Sequence, residues 1–334
     1  LDVRYVLEGS VRRAGDRLRI SAQLVESGKG ARLWAETFDG STTDLFAFQD
    51  RISESVATAI GPRIERAELE RSRRERPGSL AAYDVYLRAL PMILSETEAQ
   101  NAAAYRLLLD GLAADADDGL LNAHAAWVLE HRITMGWPAF AADDRQRCFD
   151  FARRGLEAAG DHPAVASHCA MALIQVARAY EWGMAVLAEA LEANPHNLMV
   201  VTSAGIGHLH CGSIETALAL FGRARRLSPR DPYAHIALCG SAHAYMVAGD
   251  VEAALQQAAR AIAVNPNFDA AYWILVSGNI RLGRREAAAA ALSALRRIAP
   301  GVTIASIRAG QPAMHPERIE VLLDGLRLAG LEPG

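Results

Sequence analysis

Two periodicities divide the chain. Near the start, Leu18, Ile20, Ala22 and Leu24 alternate with Arg17, Arg19, Ser21 and Gln23. This period of two predicts a strand with one buried and one wet face. Tyr5 to Arg13 reads as a second strand, with Ala14-Gly15-Asp16 as hairpin turn, and Ala31 to Phe38 as a third after the turn at Ser27 to Gly30. The pattern then changes. Leu45, Phe48, Ile52, Val56, Ala59 and Ile64 follow mostly at three- and four-residue steps, which predicts a helix capped at Thr43 or Asp44 and kinked or broken at Gly61-Pro62. The charged stretch ending in "RSRRERPGS" reads as a solvated helix end and linker.

From Ser79 onward the apolar positions predict helices in pairs. "LAEALEANP", "FGRARRLSP", "QQAARAIAVNP" and "LSALRRIAP" repeat one ending, and their prolines, Pro195, Pro229, Pro266 and Pro300, lie 34, 37 and 34 residues apart. Proline just past a helix end stops that helix and opens the next unit. Twelve residues before each proline stand Gly183, Ala217, Ala254 and Ala288; five before stand Ala190, Ala224, Ala261 and, breaking the pattern, Leu295. These small residues, with Gly205, fall where two helices must approach closely. Leu187, Phe221, Tyr245, Tyr272 and Leu292 are the large fillers. A period near 34 resembles the tetratricopeptide (TPR) repeat, a helix-turn-helix unit. Earlier units are more degenerate. His131 to Asp144 reads as a long inter-helix insertion, and the segment from His315 onward as an amphipathic helix capping the array.

The expected fold is mainly α: a TPR-like α-superhelix preceded by a truncated small α/β domain of three strands and a helix. The expected division is an α/β part over 1–70, a linker over 71–79 and a helical repeat domain over 80–334. Stacked repeats leave a concave surface. By repeat register its groove-facing positions are Met199, Thr202, Ile206 and His210, then Ile236, Cys239, His243 and Met246, then Trp273, Ser277 and Arg281. This mixed apolar and weakly basic surface suits a peptide or a partner domain.

"YVLEGSVRRAGDRLRISAQLVE", "GARLWAETFDG" and "DLFAFQDRISESVATAI" occur in that order. Together they resemble the C-terminal half of the TolB N-terminal-like α/β domain of bacterial signalling proteins. The resemblance covers about the first 65 residues and implies an earlier half ahead of the first strand. A chain opening on Leu1 rather than methionine agrees with that expectation. It also predicts a poorly covered sheet with exposed apolar side chains. Such proteins, the resemblance implies, carry an output domain upstream, either a class III adenylate/guanylate cyclase or a winged-helix DNA-binding domain of the CadC type.

Composition narrows the function. Of 334 residues, 51% are hydrophobic and 22% charged, enough for a sizeable core, and the net charge of −4 gives no general attraction to nucleic acid or anionic membranes. Lys29 is the only lysine among many arginines, which with the abundant alanine suggests a GC-rich bacterial genome. The basic run Arg71 to Arg76 is offset by Glu65, Glu68, Glu70 and Glu75, so no direct nucleic-acid contact is expected. No stretch of about 18 apolar residues predicts a membrane span. Cys148, Cys169, Cys211 and Cys239 form no CxxC pair and read as free helical thiols, which favours a reducing, cytoplasmic setting.

Phosphate loops and hydrolase, metalloprotease or kinase motifs are missing from the sequence, so no catalytic residue and no cofactor is assigned. In "HLHC", His208 and His210 point to different helix faces and lack the i, i+4 pairing of metal ligands. His168, His210 and His243 can converge along the groove, where histidine contacts a ligand or senses pH; a packing role is the plainer reading. The functional expectation is a non-catalytic regulatory and interaction region of a signalling protein, the alternatives being the regulatory part of a nucleotide cyclase or the sensory part of a winged-helix regulator.

Overall fold

A computed structural model of the protein describes residues 3–28, 30–75, 81–158, 162–227, 231, 233–312 and 314–334. It divides into two compact units, Leu1–Gly78 and Ser79–Gly334. Pro229, residues 76–79 of the expected linker and residue 80 lie outside the described residues.

The first unit is a three-stranded antiparallel meander, β1 (Tyr5–Ala14), β2 (Arg17–Glu26) and β3 (Ala31–Ser41), in the order β1-β2-β3. Leu24 pairs with Leu7 and Trp34, and Ile20 with Val11 and Phe38, so the apolar positions of all three strands share a face. The opposite face is a ladder of polar cross-strand pairs, Glu8 with Gln23, Ser21 with Thr37 and Arg19 with Asp39. A 3-10 turn, Thr42–Asp44, leads into helix α1 (Leu45–Glu75). Val56, Ala59, Ile60 and Ile64 of α1 pack on Ala22, Leu24 and Trp34.

Helix α1 runs unbroken through Gly61 and Pro62, because apolar contacts with the sheet hold it on both sides of them. It also continues through 71–75, residues that the sequence pattern gives to a linker. The reason is Glu68, 3% exposed, whose carboxylate takes Arg4, the Tyr5 hydroxyl and Arg71. Helix α1 leaves β1 largely uncovered. Leu7 and Val11, on the apolar face, are 47% and 67% exposed.

The second unit is built from six helical pairs among the described residues: α2 (Ala82–Ile93) with α3 (Glu98–Ala114), α4 (Gly119–Thr134) with α5 (Asp144–Ala158), α6 (Pro163–Ala172) with α7 (Tyr180–Ala193), α8 (Leu198–Cys211) with α9 (Ile214–Leu227), α10 (Ala234–Ala248) with α11 (Val251–Val264), and α12 (Asp269–Arg281) with α13 (Arg285–Ile298). The even-numbered helices also pack on one another and form the inner layer. Two further helices, α14 (Ile304–Gly310) and α15 (Pro316–Leu328), complete the chain.

Caps and stops explain the punctuation. Asp118, Asn197 and Asp250 accept hydrogen bonds from the third backbone N–H of α4, α8 and α11. Asn194, Asn265 and Ala299 end α7, α11 and α13, each one residue before a repeat proline. The small positions lie at helix contacts, with Ala217, Ala224, Ala254 and Ala261 fully buried. Leu295, the exception to the small pattern, is fully buried too, packed with Leu292 and Leu326.

Phe221 shows why the glycines are needed. Its ring, fully buried, fills a slot between α8 and α10, where a Cβ on Gly205 would come within 2.7 Å of it and one on Gly240 within 2.4 Å. We expect Phe221→Ala to cost about 3–5 kcal/mol through lost burial and a cavity, and Gly240→Ala to cost about 1–3 kcal/mol through overpacking. Urea unfolding of each variant, followed by circular dichroism, measures both. In the double variant the truncated ring relieves the clash, so the two costs should sum to more than the measured loss.

Candidate functional site

The concave face of the second unit is not an open groove, because the chain folds back across it. Helix α15 packs on α12 and α10, and α14 on α4. Arg318 of α15 donates to three carbonyls at the end of α8, those of His208, Leu209 and Gly212. The His208 carbonyl also accepts from the Gly212 backbone N–H that ends the helix, and a guanidinium suits the negative C-terminal end of α8. His243 Nε2 lies 2.8 Å from Arg318 O, and Ser277 Oγ donates to Leu322 O over 2.8 Å. Gly325 lies so close to α12 that a Cβ there would overlap Ser277 Oγ at 2.1 Å.

A second closure joins the first repeat to the last. Asn265 Nδ2 donates to Leu94 O (2.9 Å) and Asn267 Nδ2 to Ser95 O (3.2 Å). Trp137, from the long α4–α5 insertion, donates its indole N–H to Asp269 (3.0 Å), and Gln311 Nε2 donates to Thr134 O (2.9 Å). At the centre is Glu96, 4% exposed, whose two carboxylate oxygens lie 2.5 Å from His131 Nε2 on α4 and 2.8 Å from His235 Nε2 on α10. Glu96 holds a left-handed backbone (φ 54°) that few non-glycine residues adopt.

Between the inner helices and the α14–α15 return is a partly open cavity of about 120 Å³. Of the positions assigned by repeat register, Met199, Ile206, His210, Ile236, Cys239, His243 and Trp273 line it. Thr202, Met246, Ser277 and Arg281 do not. Thr202 and Met246 are fully buried, Met246 among α10–α12 contacts; Ser277 is bonded to α15; Arg281 is exposed at the end of α12. Register in a repeat gives the inner face of a helix but not which turns the returning chain covers. His168, His210 and His243 all line the cavity; the His210 and His243 rings are 6.2 Å apart, whereas His168 stacks on Trp127.

The sequence reading missed Glu96, Trp127, Glu130 and His131, which also line the cavity. They come from the degenerate early repeats, and their partners lie up to 139 residues away, so no local signal marks them. Trp127 stacks on His168, centroids 4.3 Å apart and planes 17° apart. Glu130 Oε1 accepts from Gln175 (2.5 Å) and Thr134 (3.5 Å).

Burial sets the protonation states. It would push the Glu96 carboxyl up, but His131 and His235 outweigh it and hold Glu96 ionised. Burial would likewise lower His131, but Glu96 raises it, so the pair is a carboxylate and an imidazolium. Glu130 has no such partner of its own, and burial pushes it up to about 7. Burial pushes Asp269 up to about 7 as well, against its bond from Trp137. His168 and His210 are driven down by burial and stay neutral. Among the described residues no group of three or more His, Cys, Asp or Glu side chains is arranged to hold a metal ion, and no helix is long and apolar enough to cross a membrane.

Comparisons with known proteins agree with this architecture. Residues 209–277 match the tetratricopeptide repeat family. The human IFIT1 dimer with m7Gppp-AAAA aligns over 74% of this chain and 63% of that one, at 14% identity and a TM-score of 0.54. The APC/C hetero-tetramer Cut9–Hcn1 aligns over 85% of this chain and 49% of that one, at 11% identity and a TM-score of 0.52. These likenesses establish a TPR-like superhelical fold. A protein of Rhizobium meliloti (strain 1021), "Putative adenylate cyclase 3", is 34% identical over 168 residues, 49% of this chain but only 28% of that protein's length.

Two outcomes follow. Glu96→Ala leaves the His131 imidazolium buried without its counter-ion and removes the hydrogen-bond partner of His235, and we expect a loss of about 3–5 kcal/mol in chemical unfolding. Glu130 has its folded pKa raised from 4.5 to about 7. Its stabilising contribution is therefore complete below pH 4.5 and is lost as pH rises through 7. Glu130→Gln cannot ionise, so its stability relative to wild type should climb by on the order of 3 kcal/mol between pH 4.5 and 7, then level off. Paired urea titrations across this range measure the difference; a pH-independent difference would place Glu130 in water.

Proposed function

We propose that this chain is a non-catalytic regulatory region of a bacterial signalling protein, and that its TPR-like unit works by holding a helical peptide segment on its concave face. The observation that carries this reading is α15. It lies on the inner helices as a bound peptide would, anchored by Arg318 at one end, by Leu322 and Ile319 over the cavity, and by the Gly325–Ser277 approach at the other. The mode is a helix in an apolar groove, read through anchors three and four residues apart. A partner helix of the same pattern competes with α15 for this surface.

The likeness to the Rhizobium meliloti protein supports a nucleotide cyclase as the output that this region controls. The resemblance of the first unit to the TolB N-terminal-like domain supports the same placement beside an upstream output domain, and it leaves a winged-helix regulator as the other arrangement. Leu7 and Val11, exposed on the apolar sheet face, are the positions that a further half-domain would cover.

A labelled peptide of the sequence Pro316–Leu328, titrated into the full chain by fluorescence anisotropy, tests the concave-face reading. Gly325→Leu drives α15 off α12, and that variant should bind the peptide with a Kd in the micromolar range (roughly −8 kcal/mol), while the wild type, already occupied, should bind at least about tenfold more weakly. Arg318→Ala, which loosens α15 without crowding α12, should fall between them. Equal, negligible binding by all three would refute the reading.

A further inference from the structure

The charges on the cavity wall do not cancel. The Glu96 carboxylate and the His131 imidazolium answer each other. Burial keeps His168, His210, His243 and the Cys239 thiol neutral. Glu130 is left over. It is 4% exposed and forms no ion pair among the described residues. Both of its hydrogen bonds, from Thr134 and Gln175, fall on Oε1. Oε2 accepts none among the described residues and, unlike the sealed indole nitrogen of Trp273, keeps accessible surface on a residue that lines the cavity. A carboxylate oxygen in so dry a place calls for a partner.

The same wall offers further acceptors. Gln175 and Gln311 each spend the amide nitrogen within the protein, on Glu130 Oε1 and on Thr134 O, and their amide oxygens accept nothing among the described residues. Around them the wall is hydrocarbon and thioether, from Met171, Met199, Ile236 and Ile319. Oxygen acceptors, one of them a carboxylate, beside apolar surface suit a cation that carries N–H donors and an apolar body. An anion would meet Glu130 with no cation between them. A metal ion is poorly served, since among the described residues no group of three or more His, Cys, Asp or Glu side chains converges. A quaternary ammonium has no N–H for Oε2. The volume, about 120 Å³, compares with the cavity of about 150 Å³ that admits benzene, which limits the body to about the size of one ring.

We propose that this cavity binds a small organic cation, a primary ammonium on a compact hydrocarbon body, which donates to Glu130 Oε2 and packs its body against the methionine and isoleucine side chains. Ile319 and Leu322 of α15 form part of the cavity's wall. Ligand occupancy therefore stabilises the seated position of α15 by mass action. The inference adds a regulator to the concave-face reading above, and only its regulatory consequence rests on that reading. Binding is measured without the partner peptide, so either result can fail alone.

The test uses the full 334-residue chain and three probes of one shape: benzylamine, which is a cation, benzyl alcohol, which is neutral, and benzoate, which is an anion. Measurements run at about pH 8, above the value of about 7 to which burial pushes Glu130, so that its carboxylate is ionised. Thermal shift and ligand-observed NMR give the affinities. Benzylamine should raise the melting temperature and bind roughly five- to tenfold more tightly than benzyl alcohol, the margin of a hydrogen bond between charged groups over a neutral one, with benzoate weakest. Glu130→Gln keeps the shape and removes the charge, so it should bring the amine and the alcohol to equal affinity. Ile236→Trp fills the cavity and should abolish binding of both. Circular dichroism checks that each variant folds; if one does not, the other decides together with the wild-type preference. Absence of binding by every probe, equal affinity of the wild type for the amine and the alcohol, tighter binding of benzoate, a preference for the amine that survives Glu130→Gln, or binding unchanged by Ile236→Trp would overturn the proposal.

Discussion

The second unit depends on one buried carboxylate. Glu96 ties the end of the first helical pair to α4 and α10 at once, through two imidazoles. An ion pair in this setting is not stabilising by default, since both partners lose their water. Here the carboxylate has an imidazole on each oxygen, so the charge is compensated from two sides. A left-handed backbone at a glutamate costs on the order of 1–3 kcal/mol, a cost that the contacts to both histidines offset. Asn265 and Asn267 reinforce the same junction with bonds to Leu94 and Ser95. The closure narrows what would be an open concave surface to a partly covered pocket.

That closure explains the chemistry of the inner helices. In an open array one face of each inner helix meets water. In this chain α4, α8, α10 and α12 are buried almost all round, and their ionisable groups respond accordingly. His168 and His210 stay neutral, Glu130 and Asp269 resist ionisation, and His131 keeps its proton only because Glu96 is beside it. The outer helices α9, α11 and α13 bury one stripe and leave the rest in solvent, as surface helices do. The C-terminal return completes the arrangement. Arg318 takes up the carbonyls that end α8, and the small Gly325 lets α15 settle against α12.

The first unit shows the limit of a small sheet. Its polar face is stabilised by cross-strand pairs, and its apolar face by a single helix that reaches β2 and β3 but not the middle of β1. Glu68 compensates at one end, where it collects Arg4, Tyr5 and Arg71 and extends the helix past the point where charge density alone predicts a linker. Charge runs are usually solvated, and Glu68 departs from that rule because three donors converge on it.

Local periodicity was enough for the sequence to determine the three strands, the start of the first helix but not its unbroken length, the paired helices behind them and the repeat of about 34 residues. Gly205 and Phe221 could be picked out as contact residues, because a repeat places small and large side chains at fixed offsets within one or two helices. The C-terminal helix was legible as amphipathic, since its apolar stripe is local. What it packs against was not. Only the tertiary structure brought Glu96 to His235, Trp137 to Asp269 and Arg318 to the end of α8, contacts that span roughly 110 to 140 residues. The groove positions divided for the same reason: Met199, His210 and Trp273 line a cavity, whereas Thr202, Met246 and Ser277 are buried elsewhere. A periodic pattern states which side of a helix is apolar. It does not state which distant segment will cover that side, because such a contact depends on the summed geometry of every turn between the two.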